Sequence, residues 1–433
     1  MHISSLALGL LAIFVTISAA IPGSTSTAHL NKEYTEEHNG VQYTVFEHAN
    51  TGAKMSYVNN SGICETTQGV NQYSGYISIG NNMNMFFWFF EARDNPTTAP
   101  LAAWFNGGPG CSSMIGLFQE NGPCQFYNGS STPSLNDYSW NTFANMLYID
   151  QPIGVGFSYG DADVNSTVSA APRGLDLVAI LLCTFPTSYG GHYGPEFASY
   201  IQQQNAAISA QKIPEEHINL VAVGINNGCA NNSYNQILSP SDYSTYMDTY
   251  NSKCAPAISD CYNSGTDDSL FFRAEYVLSR YRIRNHQLGR LRRNTTVQNA
   301  IGAQSQYQEC ANDANSKFQE TGDNTRSFIA TLSDVVQSGI TVLVWAGDAD
   351  WICNYMGVLA VANSVSFNGS DDFNSKDLQP YTVNGKETGR YKTVDNFSYL
   401  QVYAAGHEVP YYQPATALQV FIQTMQEKGI SST

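Results

Sequence analysis

The chain has 433 residues, 42% apolar and 12% aromatic, enough for one large domain or two ordinary ones and too hydrophobic for a disordered polymer. Its 20 Lys and Arg against 36 Asp and Glu give a net charge of -16, which repels phosphate backbones and argues against a nucleic-acid partner. An acidic surface also suits a protein that stays soluble near neutrality and works in mild acid.

Residues 2–20, HISSLALGLLAIFVTISAA, are apolar and almost uncharged, and they end small-x-small at Ser18 and Ala20. This pattern predicts a secretory signal over 1–20, cleaved after Ala20. No later segment has 18 consecutive apolar residues, so no membrane association is expected. A secreted, extracellular protein is the expectation, with a vacuolar destination as the alternative. Seven Asn-x-Ser/Thr sequons, at Asn59, Asn128, Asn165, Asn231, Asn294, Asn368 and Asn396, predict a glycoprotein. Of the nine cysteines most should pair in an oxidising compartment, and the odd count leaves at least one over. No CxxC pair or His cluster has zinc spacing, so neither a metal nor a cofactor is expected.

Apolar runs ending in Gly or Asp read as buried strands: MFFWFFEA (85–92), PLAAWFNGG (100–108), MLYIDQP (146–152), INLVAVGINNG (218–228), ITVLVWAGD (340–348) and YLQVYAAGH (399–407). Helix-like stretches, such as 192–212 and 414–428, lie between them. The alternation predicts an α/β fold with a central, mostly parallel sheet flanked by helices and functional groups at the strands' carboxyl ends. Residues 229–300 break the pattern and read as an atypical insertion, or cap, between two halves of the core at 21–228 and 301–433. A short propeptide could begin the first half. Within the insertion, 273–293 holds seven of the twenty basic residues, the pattern of a basic amphipathic helix.

Three strand ends or turns carry Ser188, Asp350 and His407 in that order, the chain order of an α/β-hydrolase triad. The hydroxyl needs an imidazole to take its proton, and the imidazole needs a carboxylate to fix its tautomer. Asp348 is the alternative orienter. Trp104 and Asn106 lie two apart on an extended segment and share a face.

Five segments, WFNGGPGCSSMIGLFQENGP (104–123), SWNTFANMLYIDQPIGVGFSY (139–159), SYGGHYGPEFASYI (188–201), VLVWAGDADWICNYMG (342–357) and AAGHEVPYYQP (404–414), resemble the serine carboxypeptidases, most closely the secreted fungal branch. The resemblance implies the α/β-hydrolase fold and release of C-terminal residues from peptides and proteins through an acyl-enzyme at acidic pH. It implies Ser188 as nucleophile, His407 as general base and Asp350 as its orienter, with the amides of Gly108 and Tyr189 as oxyanion donors. A Gly-Gly-Pro-Gly turn would let the backbone approach the substrate closely. Trp104, Asn106, Gly107 and Glu120 would receive the substrate carboxylate, Glu120 only while protonated. By the same resemblance Cys353 is a free thiol near the site and Cys111 pairs with Cys310.

The chain departs from the family in three places. Thr187 stands where the family has the Glu that precedes the nucleophile and helps grip the carboxylate. The apolar run RGLDLVAILLCTFP (173–186) also leads straight into the turn, so it must serve either as crossover helix or as the strand presenting Ser188. If it is the strand, the crossover must come from 160–175, despite Pro172 and Gly174. Cys254 and Cys261 match only half of a nested four-cysteine arrangement. These losses suggest altered or missing coding segments, and they leave open an impaired or inactive homologue. An acyltransferase or esterase on the same scaffold is a further alternative.

Overall fold

The computed structural model describes residues 31–48, 52–126, 132–175, 182–213, 217–228, 252, 294–350 and 353–433. The signal segment, the sequons at Asn128 and Asn231, and the basic stretch 273–293 lie outside them.

Among the described residues fourteen strands form one mixed sheet. In chain order its first five are β1 (Lys32–His38), β2 (Val41–Glu47), β3 (Lys54–Asn59), β4 (Gln72–Gly80) and β5 (Met83–Phe90). Then come β6 (Leu101–Phe105), a small separate hairpin of β7 (Cys124–Gln125) and β8 (Ser134–Leu135), β9 (Asn145–Ile149) and β10 (Tyr159–Gly160). The rest are β11 (Leu182–Pro186), β12 (Leu220–Asn226), β13 (Thr341–Gly347), β14 (Gln379–Val383), β15 (Lys386–Val394) and β16 (Phe397–Val402). The spatial order is β1-β2-β3-β4-β5-β9-β6-β11-β12-β13-β16-β15-β14, with β10 on β5.

The centre, β9-β6-β11-β12-β13-β16, is parallel, and both arms are antiparallel. The sequence separates the two. Central strands such as β6 and β13 are buried along their whole length and read as unbroken apolar runs. An outer strand such as β3 alternates between exposed and buried positions because one face meets water, whereas β4 and β5, nearer the parallel centre, are almost wholly buried.

The run before Ser188 divides: 173–175 close a helix, and Leu182–Pro186 is strand. Leu182–Pro186 pairs in register with Leu101–Phe105 on one side and β12 on the other. The crossover helix is therefore Thr167–Leu175, with Pro172 inside it. It is short, but it supplies the connection a parallel neighbour needs.

Helix Gly190–Ser209 packs Tyr193, Phe197 and Ile201 into the core on one face of the sheet. Helix Pro414–Met425 covers the other, where Phe421 stacks on Trp140 with centroids 4.1 Å apart. Disulfides join Cys64 to Cys124 and Cys111 to Cys310. The second ties the loop after β6 to the segment that follows the insertion.

The sequons separate by environment. Asn59, Asn165, Asn294 and Asn368 are exposed. Asn396 is not an open acceptor: its amide donates to the carbonyls of Val336 at 2.9 Å and Ile340 at 2.5 Å. A glycan bond there would cost contacts that hold the start of β16, so the expectation of glycosylation at Asn396 fails on geometry.

Candidate active site

Ser188 sits in a tight turn between β11 and helix Gly190–Ser209, with φ of +59°. Such a conformation is uncommon for a residue with a Cβ, and it persists only where the surroundings over-determine it. They do so here. Thr187 N–H donates to Phe105 O, Ser188 N–H to Asn226 O, and Gly190 N–H back to Thr187 O at 2.8 Å. The turn must also be glycine-rich, since a Cβ on Gly190 would lie 2.4 Å from Pro186 Cβ. The serine side is half-buried, at the carboxyl end of a central strand.

Asp350 and His407 come from the loops after β13 and β16, which are neighbours in the sheet. Those loops are bonded to each other through the backbone, with Asp348 N–H donating to Val402 O and Ala349 N–H to Ala405 O, both at 2.9 Å. His407 Nδ1 lies 2.8 Å from Asp350 Oδ2, and the carboxylate is buried. The imidazole is thus bonded to Asp350, not Asp348. Burial alone would lower the His407 pKa, but the Asp350 hydrogen bond and the charges of Asp350 and Glu408 outweigh it and leave the pKa raised.

Asn227 was not anticipated. Its amide Nδ2 donates to Asp350 Oδ2, its Oδ1 accepts from Gly347 N–H at 3.2 Å, and its own N–H donates to Trp345 O at 2.7 Å. It holds the carboxylate from the end of β12 in a left-handed conformation, φ +43°, which Asn tolerates better than most residues. The second Asn of INNG, at a strand end before Gly, was the available signal.

The turn after β6 faces the serine. A Cβ on Gly107 would lie 2.3 Å from Tyr189 N and 2.8 Å from Ser188 Cβ, so only glycine permits this approach. Gly108 follows with φ +112°. Neither the Gly108 nor the Tyr189 N–H donates a hydrogen bond among the described residues. They are unused donors beside the serine, as an oxyanion pocket requires.

Asn106 Oδ1 accepts from Trp104 Nε1 at 2.7 Å and from Gly116 N–H at 3.1 Å, which leaves its NH2 group to point elsewhere. Trp104 is fully buried against Trp140 and its one donor is engaged, so it holds Asn106 rather than reaching a substrate. That corrects its expected place among the carboxylate ligands. Glu120 ends a buried π-helical turn, Gly116–Glu120. Its carboxyl faces Asn106 without closing a hydrogen bond of ordinary geometry. Burial, and then the charge of Glu408, push its pKa well up against the opposing effect of Asn106. A carboxyl kept protonated there can donate to an anion. Thr187 is buried and accepts from Asn226 Nδ2 at 3.2 Å.

Cys353 is disulfide-bonded, not a free thiol. Ligand-type atoms of Asp350, Cys353 and His407 lie within 4.8 Å of one another. The sulfur is in a disulfide and the other two groups bond each other, so the donor set does not suit a metal.

Comparison with known proteins agrees with this geometry. A family model described as serine carboxypeptidase matches residues 63–275 and 279–427. Carboxypeptidase S1 of Penicillium janthinellum is 56% identical over 423 aligned residues, covering 87% of this chain and 100% of that protein. Carboxypeptidase Y of Schizosaccharomyces pombe is 33% identical over 407, covering 81% of this chain and 40% of that one. The crystal structure of Kex1(delta)p, a prohormone-processing carboxypeptidase from Saccharomyces cerevisiae, superposes with a TM-score of 0.63 at 21% identity. It covers 85% of this chain and 92% of its own, a likeness of fold. Among the described residues no helix is long and apolar enough to cross a membrane.

Proposed function

The chain belongs to the serine carboxypeptidase family of α/β-hydrolase fold, and from that premise we propose that it is a secreted enzyme that removes C-terminal residues from peptides. The observation that carries the proposal is the 2.8 Å bond between His407 Nδ1 and Asp350 Oδ2, on the loops after β13 and β16, at the same sheet as β11, which leads into the Ser188 turn.

In the proposed reaction His407 Nε2 takes the Ser188 proton as Oγ attacks the terminal peptide carbonyl. Asp350 holds the Nδ1–H tautomer and stabilises the imidazolium. The oxyanion is received by the amides of Gly108 and Tyr189. His407 returns its proton to the departing amine, and a water then cleaves the acyl-enzyme by the same route in reverse. The free carboxylate of the departing residue is held by the Asn106 amide and by protonated Glu120.

The two titrating groups make opposite demands. Binding needs Glu120 protonated and is lost as pH rises through its raised pKa. Acylation needs His407 neutral and is lost as pH falls through its own raised pKa. Activity is confined to the interval where both conditions hold, and the raised His407 pKa places the acid edge of that interval above the ordinary imidazole range, against the mild-acid expectation.

A second reading, a protein that keeps the fold but turns over poorly, is favoured by Thr187 and its bond to Asn226. Incubation with a peptide in buffers from mildly acidic to neutral decides between them. Release of free C-terminal residues, lost in Ser188→Ala, supports the enzyme. No release from any peptide refutes it.

A further inference from the structure

Beyond its backbone N–H, Tyr189 has contacts that the acylation scheme leaves unused. Its hydroxyl donates to Asp323 Oδ2 at 2.7 Å, across 134 positions of sequence. The same oxygen accepts from the Thr167 N–H at 3.0 Å and the Thr167 hydroxyl at 2.5 Å. Asp323 is fully buried at the start of the 3-10 turn Asp323–Thr325, and Arg326 lies 3.8 Å from its other oxygen. The Tyr189 ring is wedged among His192, Tyr193 and Phe318.

These contacts join three separate pieces of chain. Thr167 opens the helix that crosses over to β11. Tyr189 follows the nucleophile at the far end of that same connection. Asp323 belongs to the segment after the insertion. One carboxylate oxygen therefore fixes both ends of the short crossover that delivers Ser188.

We propose that Asp323 is a positioning residue for the oxyanion pocket, acting through the Tyr189 hydroxyl to hold the neighbouring amide in place. The inference rests on the carboxypeptidase reading of the site. Rotating the Tyr189 peptide away from the substrate would drag its hydroxyl off a buried carboxylate, which is costly because a buried charged acceptor is left short of a donor. The anchor is therefore stiff, and a preorganised donor is what stabilises a developing oxyanion. The carboxylate's own charge is met by three donors on Oδ2 and by Arg326 near Oδ1.

The test is labelling by an alkyl fluorophosphonate, which needs only an activated serine and an oxyanion pocket. Label amplitude reports the folded fraction, and the rate constant reports the placement of the pocket. Tyr189→Phe removes one oxygen atom and should slow labelling about tenfold at full amplitude. Asp323→Asn keeps an acceptor and should stay within about threefold of the parent. Asp323→Ala should be as slow as Tyr189→Phe, and the double variant no slower than either, because the two act as one unit. A Tyr189→Phe rate equal to that of the parent overturns the proposal. So does a loss confined to amplitude, which would mark a purely structural bond. A parent that labels but releases no C-terminal residue refutes the carboxypeptidase reading while the clamp is still measured. A parent that does not label at all refutes both.

Discussion

Gly107→Ala should disable the site while leaving the fold in place. The added Cβ would stand 2.3 Å from Tyr189 N, 2.7 Å from Thr187 O and 2.8 Å from Ser188 Cβ. These are backbone and Cβ atoms, with no flexible side chain to swing aside. Ordinary contact begins near about 3.5 Å, so the two turns must part by about 1 Å. A displacement of that size at reacting groups costs about 10²-fold in rate, or about 2.7 kcal/mol of transition-state stabilisation. The assay is kcat/KM for release of a C-terminal residue, with the melting temperature measured beside it. Gly154→Ala is the control. Gly154 also has positive φ, +95°, but a Cβ there meets nothing within 4 Å. It should lose a little stability and keep its kcat. An alanine at 107 that retains activity within about threefold of the parent refutes the close-approach argument.

Asn227→Ala removes a donor from a buried carboxylate and should lower kcat about tenfold, with little change in KM, in steady-state kinetics. Glu408→Gln removes a charge that raises the pKa of both Glu120 and His407, so both limbs of the pH–rate profile should move to lower pH together. Glu120→Gln replaces a donor that depends on protonation with one that does not, and the alkaline limb should flatten. Mass spectrometry of glycopeptides from protein expressed through a secretory pathway should find Asn59, Asn165, Asn294 and Asn368 occupied and Asn396 bare, because of these the last commits its amide inward.

The sequence made the centre of the molecule readable because parallel strands buried on both faces leave unbroken apolar runs, and their ends carry the chemistry. The stretch before Ser188 did not resolve, since a short apolar run suits a buried helix as well as a buried strand. The pairing of Leu182–Pro186 with Leu101–Phe105, some eighty positions away, makes its end a strand, and the helix Thr167–Leu175 lies in the crossover before it. The outer antiparallel strands β1–β3 were missed because they are half-exposed and mix polar with apolar residues, which gives a weaker signal. Asn227 and Asp323 acquire their roles from partners far along the chain, so no local pattern distinguishes them from ordinary strand-end and turn residues. Trp104 looked like a ligand because it shares a face with Asn106. Its burial shows it to be a support.

The account stands on a hydroxyl made nucleophilic by an imidazole that a buried aspartate holds. The direct measurement is to react the intact protein with a fluorophosphonate, digest it, and locate the adduct by mass. The account predicts one adduct, on Ser188, absent in Ser188→Ala and strongly slowed in His407→Ala. An unlabelled protein, or a label on any other residue, would contradict it.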